Sequence, residues 1–238
     1  MTPSPYGRSA ALALIAFLVL ANVSYSYLVA RFGYDDVLRE PVQTVLSRFA
    51  AGGPGLVLAW AGFAMSALIF VGAAPLVALS LQTRHGQSVW IVTAAGMASG
   101  LLQAVGLFRW VFVIPVLARD YPGADAAGRA AIEVAYKVLN QYGGVTLGEH
   151  MGQILLVVWS AGVLAATWRS GGALRWTSLI GWASLPLWGL AQSELYATVI
   201  PQTPVIETAP LAFMIWMVWI LALAIALWAQ KPSARPEP

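Results

Sequence analysis

Six long, mostly apolar runs leave this chain few folds to choose from. They cover about 10–30, 55–81, 88–117, 146–168, 176–200 and 205–229. Each is long enough to cross a bilayer as a helix, which takes about 20 residues. None alternates apolar and polar residues as a barrel strand does. In hydrocarbon, only helices and closed barrels satisfy their own backbone hydrogen bonds. The pattern therefore predicts an all-α integral membrane protein with six transmembrane helices. Six spans and their connections fill the 238 residues, so one six-helix domain over 1–238 is expected. Charged residues make up only 10% of the chain, against roughly 25% in soluble domains.

Two connections are amphipathic. Leu38, Val42, Val45, Leu46 and Phe49 fall on one helical face, Pro41 suits an early helical position, and Gly52-Gly53-Pro54 ends the segment. In the second connection Ile132, Tyr136 and Leu139 share a face, and Arg129–Glu133 and Glu133–Lys137 are i,i+4 pairs. Both are expected as amphipathic connecting helices on the membrane surface or over the bundle mouth. Arg8 ahead of Ala10–Leu20 mimics a signal peptide. The apolar run continues to Ala30 without a convincing small-x-small cleavage site, so it reads as a retained first span. Residues 231–238 are Pro-rich and expected to be disordered.

Charge placement speaks to orientation. With a cytoplasmic N-terminus, one side carries Arg8, Arg84, Arg169, Arg175, Lys231 and Arg235, and the other Arg31, Arg39, Arg48, Arg119, Arg129 and Lys137. That is a tie. The short connections at Arg84-His85 and Arg169–Arg175 are basic without an acid, and short loops carry the positive-inside signal best. All acids but Glu237 fall on the opposite side. The expectation is a multi-pass inner-membrane protein with both termini in the cytoplasm.

The basic residues are scattered, so the bilayer is the expected partner and nucleic acid is not. Cysteine is absent, which excludes disulfides, thiolate metal sites, iron–sulfur clusters and a cysteine nucleophile. No serine-hydrolase elbow, zinc-protease His pair or phosphate-binding loop is present. No cofactor is expected.

Arg109 lies well inside the third apolar run. A guanidinium there costs about 2.5–3.5 kcal/mol on insertion scales, so it pairs or faces a wet cavity. With the orientation above, Gln103, Arg109, Asn140, Gln141, Glu149, His150, Gln153, Gln192, Glu194 and Glu207 gather toward the outer half of the bundle. This predicts an outward-facing polar pocket. Arg offers a rigid fork for a carboxylate or phosphate. Its partner is Glu194, Glu149 or Glu207 in an internal ion pair, or a ligand; a third reading has Arg109 snorkelling to the interface. His150 is the one histidine placed for chemistry, and it could handle protons. A Glu149–His150 pair with two further carboxylates could hold a metal, but the ligand count argues against it. Gly144, Gly148 and Gly152, and Gly96 with Gly100, are four apart and mark close helix packing.

Two stretches carry a family resemblance. One is Gly33-Tyr34-Asp35-Asp36-Val37-Leu38-Arg39-Glu40-Pro41 with Val45-Leu46 and Arg48-Phe49. The other is Gly106-Leu107-Phe108-Arg109-Trp110-Val111-Phe112-Val113 with Pro115, then Asn140-Gln141-Tyr142-Gly143 and Leu147-Gly148-Glu149-His150. Together they resemble a bacterial family of small multi-span membrane proteins catalogued as domain of unknown function 4386. The resemblance implies an all-helical, six-span protein and implies no activity. It draws attention to Arg109, Glu149 and His150 without assigning them roles.

The leading functional expectation is binding or transport of a small polar or anionic molecule, an ion or a lipid headgroup. The site would use Arg109, Asn140, Gln141, Glu149, His150, Gln153, Glu194 and Glu207. An intramembrane enzyme with Glu149 or His150 as acid or base is the second reading, and a structural or accessory membrane protein the third.

Overall fold

A computed structural model describes residues 5–34, 36–81 and 86–230. The Arg84-His85 connection and the tail expected to be disordered lie outside these residues. All regular structure among the described residues is helical. In order it comprises α1 (Gly7–Phe32), a 3-10 turn (Asp36–Arg39), α2 (Val42–Ser80), α3 (Gly86–Phe112), α4 (Ile114–Asp120) and α5 (Ala126–Leu139). A π-helix (Asn140–Met151) follows, then α6 (Gly152–Ser170), α7 (Gly172–Ala197) and α8 (Ala209–Trp228).

Among the described residues, five helical stretches are long and apolar enough to cross a membrane: Gly7–Phe32, Val42–Ser80, Val89–Asp120, Ala126–Ser170 and Ala209–Trp228. The chain is thus an all-α membrane protein. The count is five where the hydropathy pattern led to six, and the difference is α7. That helix has the length for a span, with 26 residues, but Arg175, Gln192 and Glu194 dilute its apolar content. Outward faces are apolar as lipid requires. Met214, Val218, Leu221 and Ile225 form an exposed stripe on α8, and Leu12, Ile15, Val19 and Val23 one on α1.

Two glycine and proline positions shape the spans. Drawn straight, α2 with its 39 residues would be about 58 Å long, nearly twice a ~30 Å hydrocarbon core. It bends at Gly53 (φ 59°, ψ −159°), a backbone region open almost only to glycine. The first amphipathic segment thus ends at Gly52-Gly53-Pro54 as expected: Gly53 leaves helical conformation, and a second helix runs on from there to Ser80. Gly53→Ala should lower stability by about 1–2 kcal/mol, read as a shift in thermal unfolding. The second site is Val113, where α3 gives way to α4. Pro115 at the start of α4 has no N–H and cannot continue the α3 hydrogen-bond ladder.

The chain divides into two compact units. The first comprises the described residues of Met1–Leu18, Ile69–Gly100 and Gly152–Pro238. In it α7 packs against both α6 and α8. Gly181 makes this possible, because a Cβ there would lie 2.7 Å from Trp219 Cδ2. Phe17, Phe70, Trp159, Trp216 and Trp219 interlock as its aromatic core. The buried Trp216 Nε1 donates to Ser160 Oγ at 2.9 Å, and Thr167 and Ser178 hydroxyls meet at 2.7 Å.

The second unit comprises Val19–Leu68 and Leu101–Met151. Its core holds the expected face of the first amphipathic segment, with Val42, Val45, Leu46 and Phe49 buried and Leu38 packed alongside. These residues surround an aromatic assembly. Trp60 and Trp110 stack at 4.7 Å and 8°. Phe49 stacks on Trp110 at 5.8 Å, and Phe32 and Tyr34 meet the pair edge-on. Such pairs add roughly 0.5–1.5 kcal/mol each beyond their buried area. The assembly gives Arg109 a firm wall to lie against.

Candidate functional site

The second unit builds its polar centre around Arg109. The side chain is only 9% exposed. Its Nη1 donates to the Gly106 carbonyl at 2.5 Å and its Nη2 to Asn140 Oδ1 at 3.1 Å. The guanidinium carbon lies 5.3 Å from the Trp110 ring centre, in cation–π range. Glu149 is the carboxylate with the strongest electrostatic pull on Arg109, followed by the hydroxyls of Tyr34 and Tyr136. Both hydrogen bonds of the fork thus go to neutral acceptors, and Glu149 acts through space. The Arg109 Nε–H is buried with no acceptor at all.

The partner element is the π-helix. It carries Asn140, Gln141, Glu149 and His150 together. A 12-residue π-helix is unusual, because the i→i+5 ladder is mostly seen as single-turn bulges, often at functional sites. Here glycines let it press on α3. A Cβ on Gly106 would lie 2.7 Å from the Gly143 carbonyl and 2.9 Å from Gly148 Cα. Gly143 and Gly148 are five residues apart, so π winding stacks them over one α3 residue. Opposite Arg109 is Gly144, where a Cβ would come within 2.7 Å of the guanidinium carbon. The four-residue glycine spacing marked close packing, and close packing is found at Gly144 and Gly148.

The residues expected to share one site divide between the units. Arg109, Asn140, Gln141, Glu149 and His150 belong to the second, with the last four half-buried. Gln141 gives its main-chain carbonyl to the Thr146 hydroxyl at 3.0 Å. Gln153, Gln192, Glu194 and Glu207 belong to the first unit. There Gln192 Nε2 donates to Gln153 Oε1 at 2.6 Å. Ser193 Oγ accepts from the Ile206 N–H at 3.0 Å, pinning the extended run before α8 to the end of α7. Glu207 sits exposed in that run and does not open a helix, since α8 begins at Ala209. Among the described residues no three His, Asp or Glu side chains gather as a metal site would require.

Residue-pattern reasoning missed the hydroxyl of Tyr136 and the indole of Trp60. Both are buried polar groups without a hydrogen-bond partner. Tyr136 was legible only as an apolar-face residue, and nothing in its spacing reveals an unmet O–H. Trp60 lay inside an apolar run with no signal of its own.

Beyond the spans, Tyr121 binds α5. Its hydroxyl donates to Glu133 Oε1 at 2.8 Å, and Arg129 lies 5.7 Å over its ring. Arg129 donates to the carbonyls of Pro122 and Ala124. These contacts replace the i,i+4 pairing expected along α5. The neighbouring carboxylate raises the Tyr121 pKa above its ordinary 10.0. Since the folded value exceeds the unfolded one, the contact's stability is present below about pH 10 and is lost as pH rises through the raised value. Tyr121→Phe should remove that alkaline component from a pH series of unfolding midpoints.

No curated protein and no solved structure matches the chain. The sequence profile of one family, described as Domain of unknown function (DUF4386), matches residues 9–228, and the protein belongs to that family.

Proposed function

We propose that this is a bacterial inner-membrane protein that binds or transports a small polar or anionic molecule, an ion or a lipid headgroup at Arg109. The observation that carries this reading is the way Arg109 is held. An arginine that only locks helices together would turn its fork on a carboxylate. Arg109 turns it on a carbonyl and an amide, and keeps a buried N–H unmet. Its charge is held in place by neutral groups and stays available to an anion. Asn140 and Glu149 reach it from the π-helix, which also carries Gln141 and His150.

In this reading α7 is a sixth span. Its length suffices, it packs against α6 and α8, and Gln192 and Glu194 are half-buried. Six spans bring both termini to one face, and the basic short connections put that face in the cytoplasm. The polar centre then opens outward.

Native mass spectrometry of the gently solubilised protein tests the proposal. The parent should carry a specific adduct that folded Arg109→Ala loses. A bare parent with Arg109→Ala merely unstable would sink it in favour of a structural role. Turnover of a lipid or small substrate that His150→Ala abolishes, with folding intact, would favour acid–base chemistry.

A further inference from the structure

We infer that the group recognised at Arg109 is a monoanionic carboxylate attached to an apolar body. This rests on the anion-binding reading above and names its ligand class. Three buried polar groups without partners surround one indole, Trp110. They are Arg109 Nε, Tyr136 Oη and Trp60 Nε1. Arg109 lies 5.3 Å from the Trp110 ring centre, Tyr136 meets it edge-on at 6.3 Å, and Trp60 stacks on it at 4.7 Å. Arg109 and Tyr136 are also electrostatically coupled. Guanidinium and indole N–H groups only donate, and a phenol O–H can rotate to donate. Apart from the Tyr136 oxygen, the set offers only donors. A ligand rich in acceptors satisfies it, whereas one that mainly donates can reach the tyrosine oxygen alone.

Charge narrows the class further. The site presents one guanidinium, and Glu149 is already within electrostatic reach of it. One added negative charge can rest on Arg109. A second would face Glu149 in a low-dielectric interior, where like charges are poorly screened. A carboxylate has a single charge and two acceptor oxygens, enough for Arg109 Nε and Tyr136 Oη. Inorganic phosphate and phosphate monoesters bring the unwanted second charge near neutral pH. Tyr34, Phe49, Phe63 and Trp60 pack in the same aromatic core as Trp110, so a ligand reaching Arg109 there meets apolar surface, which suits an apolar body. Such a carboxylate can arrive from water as a short-chain acid or from the bilayer as a fatty acid.

The test is equilibrium binding of radiolabelled octanoate to the full chain in phosphatidylcholine nanodiscs. Octanoate should bind, and unlabelled octanoate should compete at least tenfold better than inorganic phosphate. Methyl octanoate, which lacks the charge, should not compete. Tyr136→Phe, which removes one hydroxyl and keeps the ring, should weaken octanoate about tenfold and leave phosphate unchanged, as expected for a charge-assisted hydrogen bond. Competition by oleate doped into the nanodisc would place the source in the bilayer; competition by aqueous acids alone would place it in water. Phosphate competing as well as octanoate, or Tyr136→Phe binding octanoate like the parent, overturns the carboxylate assignment while the anion reading stands. Binding of methyl octanoate as tight as octanoate, or binding of neither anion, overturns both.

Discussion

Gly106→Ala should cost about 3 kcal/mol of stability, at the upper end of what adding one methyl to a packed interior does. The added carbon would fall 2.7 Å from the Gly143 carbonyl and 2.9 Å from Gly148 Cα. Both are backbone atoms, so no side chain can swing aside, and α3 must separate from the π-helix. That separation also stretches the Arg109–Asn140 bond, which spans the same contact. Gly72→Ala is the control, since a Cβ there meets nothing within 4 Å. Alanine is the better helix former by ~1 kcal/mol, so Gly72→Ala should be neutral or mildly stabilising. Thermal unfolding of the two variants beside the parent, under one set of membrane-mimetic conditions, checks the contrast. Equal midpoints for both would mean that the α3–π contact is looser than described.

Arg109→Lys should weaken anion binding by about 10- to 100-fold, the worth of one charge-assisted hydrogen bond of roughly 1.5–3 kcal/mol. The substitution keeps the charge and removes the fork. Arg109 reaches Gly106, Asn140 and an unmet direction at Nε from one rigid plane. A lysine ammonium is a single point on a flexible stem and cannot serve all three. Titration of octanoate and phosphate against Arg109→Lys measures the loss for both anions together, which separates it from the carboxylate-selective effect of Tyr136→Phe. Unchanged affinity for both anions would show that Arg109 is not the anchor. Glu149→Gln works in the opposite direction. Removing the like charge should tighten phosphate more than octanoate.

Much of the architecture was legible because hydropathy is read residue by residue. Long apolar runs with little charge announce helices in lipid whatever their neighbours do. The face of Val42, Val45, Leu46 and Phe49 was equally readable, because amphipathic periodicity reports burial directly. Arg109 stood out for the same reason, as a charge where charge is costly. Its relation to Asn140 was not legible. The two are 31 residues apart, and only the packing of α3 against the π-helix brings them together.

The chain's own residues determined that it would be helical, enter a membrane and bury a guanidinium. Tertiary structure decided which groups hold that guanidinium and which are left unmet. The π-helix shows why. Its composition is compatible with α winding, and the choice of i→i+5 over i→i+4 depends on Gly143, Gly144 and Gly148 being pressed against Gly106 and Arg109 by the rest of the second unit. Winding is a property of a segment in its packing environment, and no residue carries it alone.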